Sequence, residues 1–169
     1  MNASTAGLRP FLPSDTPILA RIFCNSIEEL ASEDYGPSQI EAWTSTVADL
    51  DGFAKKLGET LTLVATIGGT PAGFASMKGT DQIDMLYVAS GVARQGIATM
   101  LLNALEKLAA ARGADKLSVD ASDTAEPFFK ARGFVGERRN TALVGDEWLG
   151  NTTMTKALAP TAPSVDTLQ

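Results

Sequence analysis

The chain has 169 residues, 44% of them hydrophobic and 20% charged, with a formal net charge of -6. That length suits one domain burying about 70% of its unfolded surface. The acidic balance speaks against nucleic acid as a partner, because such contacts are built on neutralising phosphates. With no histidine and a single cysteine, the chain excludes an internal disulfide, a Cys–His pair and a Ser–His–Asp triad, and a zinc site would lack its commonest nitrogen ligand. No metal is expected.

The apolar runs are short and broken by charges, so no membrane span is expected. The first residues, Met1 to Gly7, lack the basic segment and apolar core of a secretory signal, which makes the cytoplasm the expected location. Gly7 to Phe11 reads as a first strand, and Asp15 is placed to cap a helix from Thr16 to Ala31. That helix carries Cys24, read as a buried structural thiol. Tyr35 to Trp43 turns into a second helix with Pro37 in its first turn, and a third short helical piece runs from Gly52 to Leu57. Leu61 to Ile67 and Pro71 to Met77, joined at Gly68-Gly69, form a hairpin signal.

A strand from Gln82 to Val88 then leads to a long helix from Gly96 to Arg112, with Ile97, Met100, Leu101, Ala104, Leu105 and Leu108 on one face. Gly113 ends it. Lys116 to Asp120 is the next strand, in parallel with the strand before the helix, and Thr124 to Arg132 a short helix. Phe134 to Val144 and Glu147 to Leu158 close the sheet as an antiparallel pair. The expected architecture is one mixed α/β domain over residues 1–158, with a flexible polar tail over 159–169.

The chemistry concentrates where the strand Ile83 to Val88 passes through Ala89–Gln95 into the helix at Gly96. Free N–H groups at a helix start, with the helix dipole, make an anion site. Gly96 and Ala98 let the backbone approach phosphates closely, and Arg94 adds a positive charge. A diphosphate would fit; so would a glycine present only for steric reasons. A nucleoside-triphosphate loop is excluded by the missing Gly-Lys-Ser/Thr ending, and a dinucleotide fingerprint by the glycine spacing.

Ala93-Arg94-Gln95-Gly96-Ile97-Ala98 resembles the acyl-CoA pyrophosphate loop of the GCN5-related N-acetyltransferases, the GNAT family, whose pattern is Gln/Arg-x-x-Gly-x-Gly/Ala. Leu117-Ser118-Val119-Asp120-Ala121-Ser122 followed by Pro127-Phe128-Phe129-Lys130-Ala131-Arg132-Gly133-Phe134 is similar to the family's second signature. Tyr35-Gly36-Pro37-Ser38-Gln39-Ile40 and Ile83-Asp84-Met85-Leu86-Tyr87-Val88 extend the likeness to its YafP-type subgroup. The resemblance spans about Arg9 to Leu158.

It implies the GNAT fold, a central mixed sheet flanked by helices, and an enzyme moving an acetyl group from acetyl-CoA to a primary amine by direct attack. Carried onto this chain, the pantetheine contacts fall on Leu86, Tyr87 and Val88, with a Val88 or Leu86 N–H as oxyanion donor. Ala93, Arg94, Gln95, Gly96, Ile97, Ala98 and Thr99 would hold the diphosphate. Asp84 matches the strand position where several members carry a catalytic glutamate; it is read as the base, acting through water, with a binder of a cationic substrate or a solvated residue on the open face as the alternatives.

The chain departs from the pattern twice. Ala93 stands where Gln or Arg is usual. Phe129 stands where the family often has the tyrosine that protonates the leaving thiolate. Ser122, at the usual asparagine site, is read as binding the cofactor or capping the helix. Tyr35, Trp43, Trp148 and Asn151 are candidates for the acceptor pocket, with packing as the alternative for the tryptophans. The resemblance admits a homodimer through the last strands. The competing reading is a non-catalytic acyl-CoA-binding sensor or interaction module.

Overall fold

A computed structural model describes residues 5–92 and 96–159. Seven strands form one sheet in the order β1-β2-β3-β4-β5-β7-β6. They are β1 (Ala6–Pro10), β2 (Leu61–Ile67), β3 (Thr70–Lys78), β4 (Gln82–Val88), β5 (Lys116–Ser122), β6 (Val135–Val144) and β7 (Glu147–Ala157). The helices are α1 (Thr16–Leu30), α2 (Pro37–Thr44), α3 (Leu50–Glu59), α4 (Ile97–Ala111) and α5 (Glu126–Ala131). The order of elements agrees with the sequence reading. The expected flexible tail falls almost wholly outside the described residues.

Side-chain alternation along the strands feeds two cores, one on each face of the sheet. Val64 and Phe74 point to the face covered by α1 and α3, where they meet Leu19, Phe23, Phe53 and Leu57. Their neighbours Ala65 and Ala75 point to the other face, against Leu101, Leu102 and Leu105 of α4 and Phe129 of α5. Each such leucine, fully withdrawn from water, contributes about 1.5–3 kcal/mol. In α1 the buried set Leu19, Ile22, Phe23, Ser26 and Ile27 keeps helical spacing on one side. Helix α4 ends at Gly113, whose φ of 89° no other residue adopts easily, and Ala114 N–H closes back on the Ala109 carbonyl at 3.0 Å.

Asp15 does not cap α1 with its side chain. Its carboxylate instead accepts two guanidinium N–H groups of Arg9 at 2.8 Å each and the Leu12 N–H at 2.8 Å, tying β1 to the start of α1. The hydrogen bonds from Arg9 hold the Asp15 carboxyl below its ordinary pKa. Cys24 donates to the Thr44 carbonyl at 3.6 Å, and burial, aided by the charge of Glu28, pushes its thiol pKa up.

The middle of the sheet has two irregularities. All strand pairs are antiparallel except β4–β5, and that pair holds only Gln82 with Ser118 and Ile83 with Val119. Beyond it the strands part, while β5 goes on pairing with β7 as far as Ser122 with Asn151. The second irregularity is a bulge. Ser76 pairs with Met85 and Met77 with Ile83, so Asp84 is skipped by β3. Ile83 accordingly faces the α4 core while Met85, two residues on, faces the α1 core. The last two strands form the expected antiparallel pair, but β7 lies inside, against β5, and β6 forms the edge.

Candidate functional site

The parting of β4 from β5 opens a V-shaped cleft whose vertex is the Ile83–Val119 pair. A cavity of about 200 Å³ fills its vertex end, walled by Ile83 to Tyr87 on one side and Val119 to Ser122 on the other. Tyr35 and Trp43 stand above it, and Ala142, Val144, Leu149, Gly150 and Asn151 of β6 and β7 close the outer side. A second cavity of about 220 Å³ shares Trp43, Leu86, Tyr87, Ser122 and Ala125 with the first. It reaches between Ile27 and Leu30 of α1, Ala98 of α4 and Phe128 of α5. The two are halves of one groove running through the split in the sheet.

Asp84 lies in the first cavity's wall, its side chain only 12% exposed. Lys78 Nζ sits 3.3 Å from its Oδ1 and Lys56 Nζ 3.5 Å from its Oδ2. Neither lysine is visible as a partner in the sequence, because one comes from α3 and the other from the end of β3. Tyr87, two residues past Met85, packs its ring against Phe23 at 4.6 Å and Phe74 at 5.8 Å. Burial holds its phenol well above the ordinary pKa; the charge of Asp84 acts the same way and the Trp43 side chain opposes it. The phenol therefore stays protonated across the physiological range.

Tyr35 is fully engaged. Its hydroxyl donates to the Gly150 carbonyl at 2.6 Å and accepts the Asp123 N–H at 2.9 Å, and burial raises its pKa. Trp43 meets it edge-on at 5.4 Å. Asn151 lines the same cavity, its side-chain oxygen accepting from Asn140 at 2.9 Å. Trp148 stands apart: it is 60% exposed and lines neither cavity, and its carbonyl accepts from Gln39.

Leu86, Tyr87, Val88 and Ala98 line the second cavity. Gly96 caps α4 with φ of 79°, and a side chain placed there would meet open space rather than protein. The glycine answers a backbone need, and no described residue fills the space beyond it. Ala93, Arg94 and Gln95 lie outside the described residues. The Ile97 side chain is 2% exposed and belongs to the core, so only its backbone could face a ligand. Thr99 accepts hydrogen bonds from Arg132 at 2.9 and 3.1 Å.

Nothing in the sequence singles out Arg132. Its guanidinium lies 3.8 Å over the Phe128 ring and brings positive charge from beyond α5 to the first turn of α4. Ser122 accepts the Ala125 N–H at 3.1 Å and so steadies the turn into α5. Phe129 is buried, packed between Phe128 at 5.2 Å and Phe134 at 5.1 Å, and its ring lines the vertex cavity. Among the described residues there is no cluster of metal-ligating side chains, and no helix is long and apolar enough to cross a membrane.

A mixed sheet split between its fourth and fifth strands, with a glycine-started helix after the fourth, defines an acyltransferase class of fold. Residues 31–158 match the family model described as the acetyltransferase (GNAT) domain, and the chain belongs to that family. Within it, the chain is 35% identical over 144 residues to the uncharacterized N-acetyltransferase YafP of Escherichia coli K12, covering 85% of this chain and 91% of that protein. The crystal structure of a GCN5-related N-acetyltransferase from Rhodopseudomonas palustris is 53% identical, with a TM-score of 0.90 over 94% of this chain and 99% of the other. The PaiA N-acetyltransferase of Thermoplasma acidophilum, solved with coenzyme A, shares the fold at 18% identity, with a TM-score of 0.77 over 90% of this chain and 99% of that one.

Proposed function

We propose that the chain transfers an acetyl group from acetyl-CoA to the primary amine of a small molecule or peptide, by direct attack of the amine on the thioester. The observation that carries this is the split between β4 and β5. A strand that parts from its neighbour leaves backbone groups of residues 84–88 without a strand partner on that side, and the two amides of a pantetheine arm supply such partners. The second cavity suits that arm, being lined chiefly by Ile27, Leu30, Leu86, Val88, Ala98 and Phe128. Ala93 to Thr99 would hold the diphosphate, with Gly96 supplying the left-handed start of α4 and Arg132 adding charge nearby.

The amine attacks from the vertex cavity. Its nitrogen must first lose a proton, and Asp84 and Asp120 are the carboxylates in that wall. A Leu86 or Val88 N–H would steady the oxyanion of the tetrahedral species, and preorganised donors of this kind contribute the larger part of such a rate gain. The leaving thiolate takes its proton from water, since Phe129 has none to give. A thiolate is a weak base beside an alkoxide, so the loss of a tyrosine there is tolerable.

Phe129 also supports a second reading, a domain that binds acyl-CoA without turnover. Both readings require donor binding; only the first requires free CoA to be released when an amine is added. Free thiol measured across an amine panel separates them. Gly96→Glu places a negative charge and a strained backbone at the helix start, and donor affinity should fall by at least about tenfold. Normal acetyl-CoA binding by that variant would remove the loop assignment.

A further inference from the structure

Because the last pair joining β4 to β5 is Ile83 with Val119, the next residues on the two strands are Asp84 and Asp120. One carboxylate stands on each side of the vertex. Both line the same cavity, and no lysine or arginine lines it among the described residues. Their environments differ. Asp84 is nearly enclosed and held between Lys56 and Lys78, so two ammonium groups share its charge. Asp120 is exposed and makes no ion pair among the described residues; it accepts one hydrogen bond, from Thr153 Oγ1 at 2.6 Å. That hydroxyl is oriented in turn by Asn140, which donates to it at 2.7 Å. The charged groups around it are Asp84 across the vertex with its partners Lys56 of α3 and Lys78 of β3, and on β6 Arg138, which reaches the same threonine at 3.5 Å, and Glu137, which accepts from Thr155.

We infer that Asp120, rather than Asp84, receives the acceptor's ammonium group and takes its proton, and that the acceptor is a primary amine carried on an apolar or aromatic body. The inference rests on the amine-acetylation reading of the same site. An ammonium entering the cavity is drawn to the carboxylate whose charge is least compensated. Asp84 already has two lysine counter-ions, and its Oδ2, which has no hydrogen-bond partner among the described residues, is buried away from an entering amine.

The proton passes from nitrogen to the Asp120 carboxylate, which is open to water and can release it. The nitrogen lone pair then forms the C–N bond. The C–S bond breaks with its electron pair on sulfur, and the second nitrogen proton is lost as CoA leaves as the thiol. Around this polar point the walls are apolar: Trp43, Tyr87, Val144 and Leu149 offer rings and branched side chains, not further charges. A body of that kind suits the pocket, with its one charged end at the vertex.

The test uses the full chain with acetyl-CoA and three amines: 2-phenylethylamine, spermidine and a lysyl tripeptide. Free CoA is followed between pH 6 and 10, and acetyl-CoA affinity is measured separately by calorimetry. For Asp120→Asn the expected result is a fall in kcat/KM of about 100-fold or more with unchanged acetyl-CoA affinity. Asp120→Glu should restore part of the rate. Parental kcat/KM in Asp120→Asn, with its loss in Asp84→Asn, would overturn the assignment and return the proton to Asp84. A preference for spermidine over 2-phenylethylamine would overturn the apolar acceptor. Acetyl-CoA binding without turnover of any amine would sink the amine reading itself, a result distinct from either.

Discussion

Tyr35 closes the cleft with one oxygen, joining the segment before α2 to Gly150 of β7 and to Asp123 after β5. Tyr35→Phe leaves a carbonyl and an N–H without that partner, and should cost about 1–3 kcal/mol, read as a lower urea midpoint with an unchanged m-value. Tyr35 and Tyr87 share a second property, phenols whose pKa burial has raised. In the unfolded chain tyrosine ionises near pH 10. Above that pH the unfolded state loses protons that the folded state keeps, so this contribution is whole below about pH 10 and declines as pH rises. Denaturant melts from pH 9 to 11 should show that decline, and Tyr87→Phe should flatten it. Asp15 works in the opposite direction. Its carboxyl is held low by Arg9, so its contribution is present above about pH 4 and is lost as pH falls through the folded value. Asp15→Asn should weaken the protein at pH 7 and reduce its acid sensitivity; an unaltered acid limb would show that other carboxylates govern it.

At the scale of elements, apolar spacing is a good guide wherever one segment's own residues decide its structure. Leu101 and Leu105 announce α4, Ile22 and Phe23 announce α1, and the glycine pair announces the β2–β3 hairpin. What the segment alone does not announce is the bulge at Asp84, since a skipped residue leaves no mark on the pattern of Ile83 to Val88. Its lysine partners, the place of β7 inside β6, and the reach of Arg132 to Thr99 are hidden for a related reason: each joins residues far apart in the chain. Asp120 belongs to a motif legible in the sequence, yet its role depends on the register that sets it opposite Asp84. Gly73 is a further case. A Cβ there would lie 2.9 Å from the Tyr87 carbonyl and 3.2 Å from Ile97 Cγ2, where β3, β4 and α4 crowd together. Gly73→Val should destabilise the protein by about 1–3 kcal/mol. It should also weaken acetyl-CoA binding by shifting the start of α4, which calorimetry beside a thermal melt can separate from simple unfolding.

For the whole molecule, the sheet consists of four strands and three strands joined by a seam of two residue pairs. That the strands are parallel is readable from strand, helix, strand; how soon they part is not, because nothing in the composition of β4 or β5 marks an unpaired edge. A donor lying in the split would touch both halves. Binding at about 100 times its dissociation constant should stabilise the fold by about 2.7 kcal/mol, or roughly 5–10 °C at this chain length. Coenzyme A that failed to raise the melting temperature would show that the folded chain does not bind it. The seam has a mechanical meaning as well. Tension applied across the sheet would meet a ladder of many rungs at every strand boundary but one, so the Ile83–Val119 line is where the sheet should tear first. The ligand would then act as a rivet. In a force experiment with handles on β1 and β6, coenzyme A should raise the load at the first rupture and leave later ones unchanged.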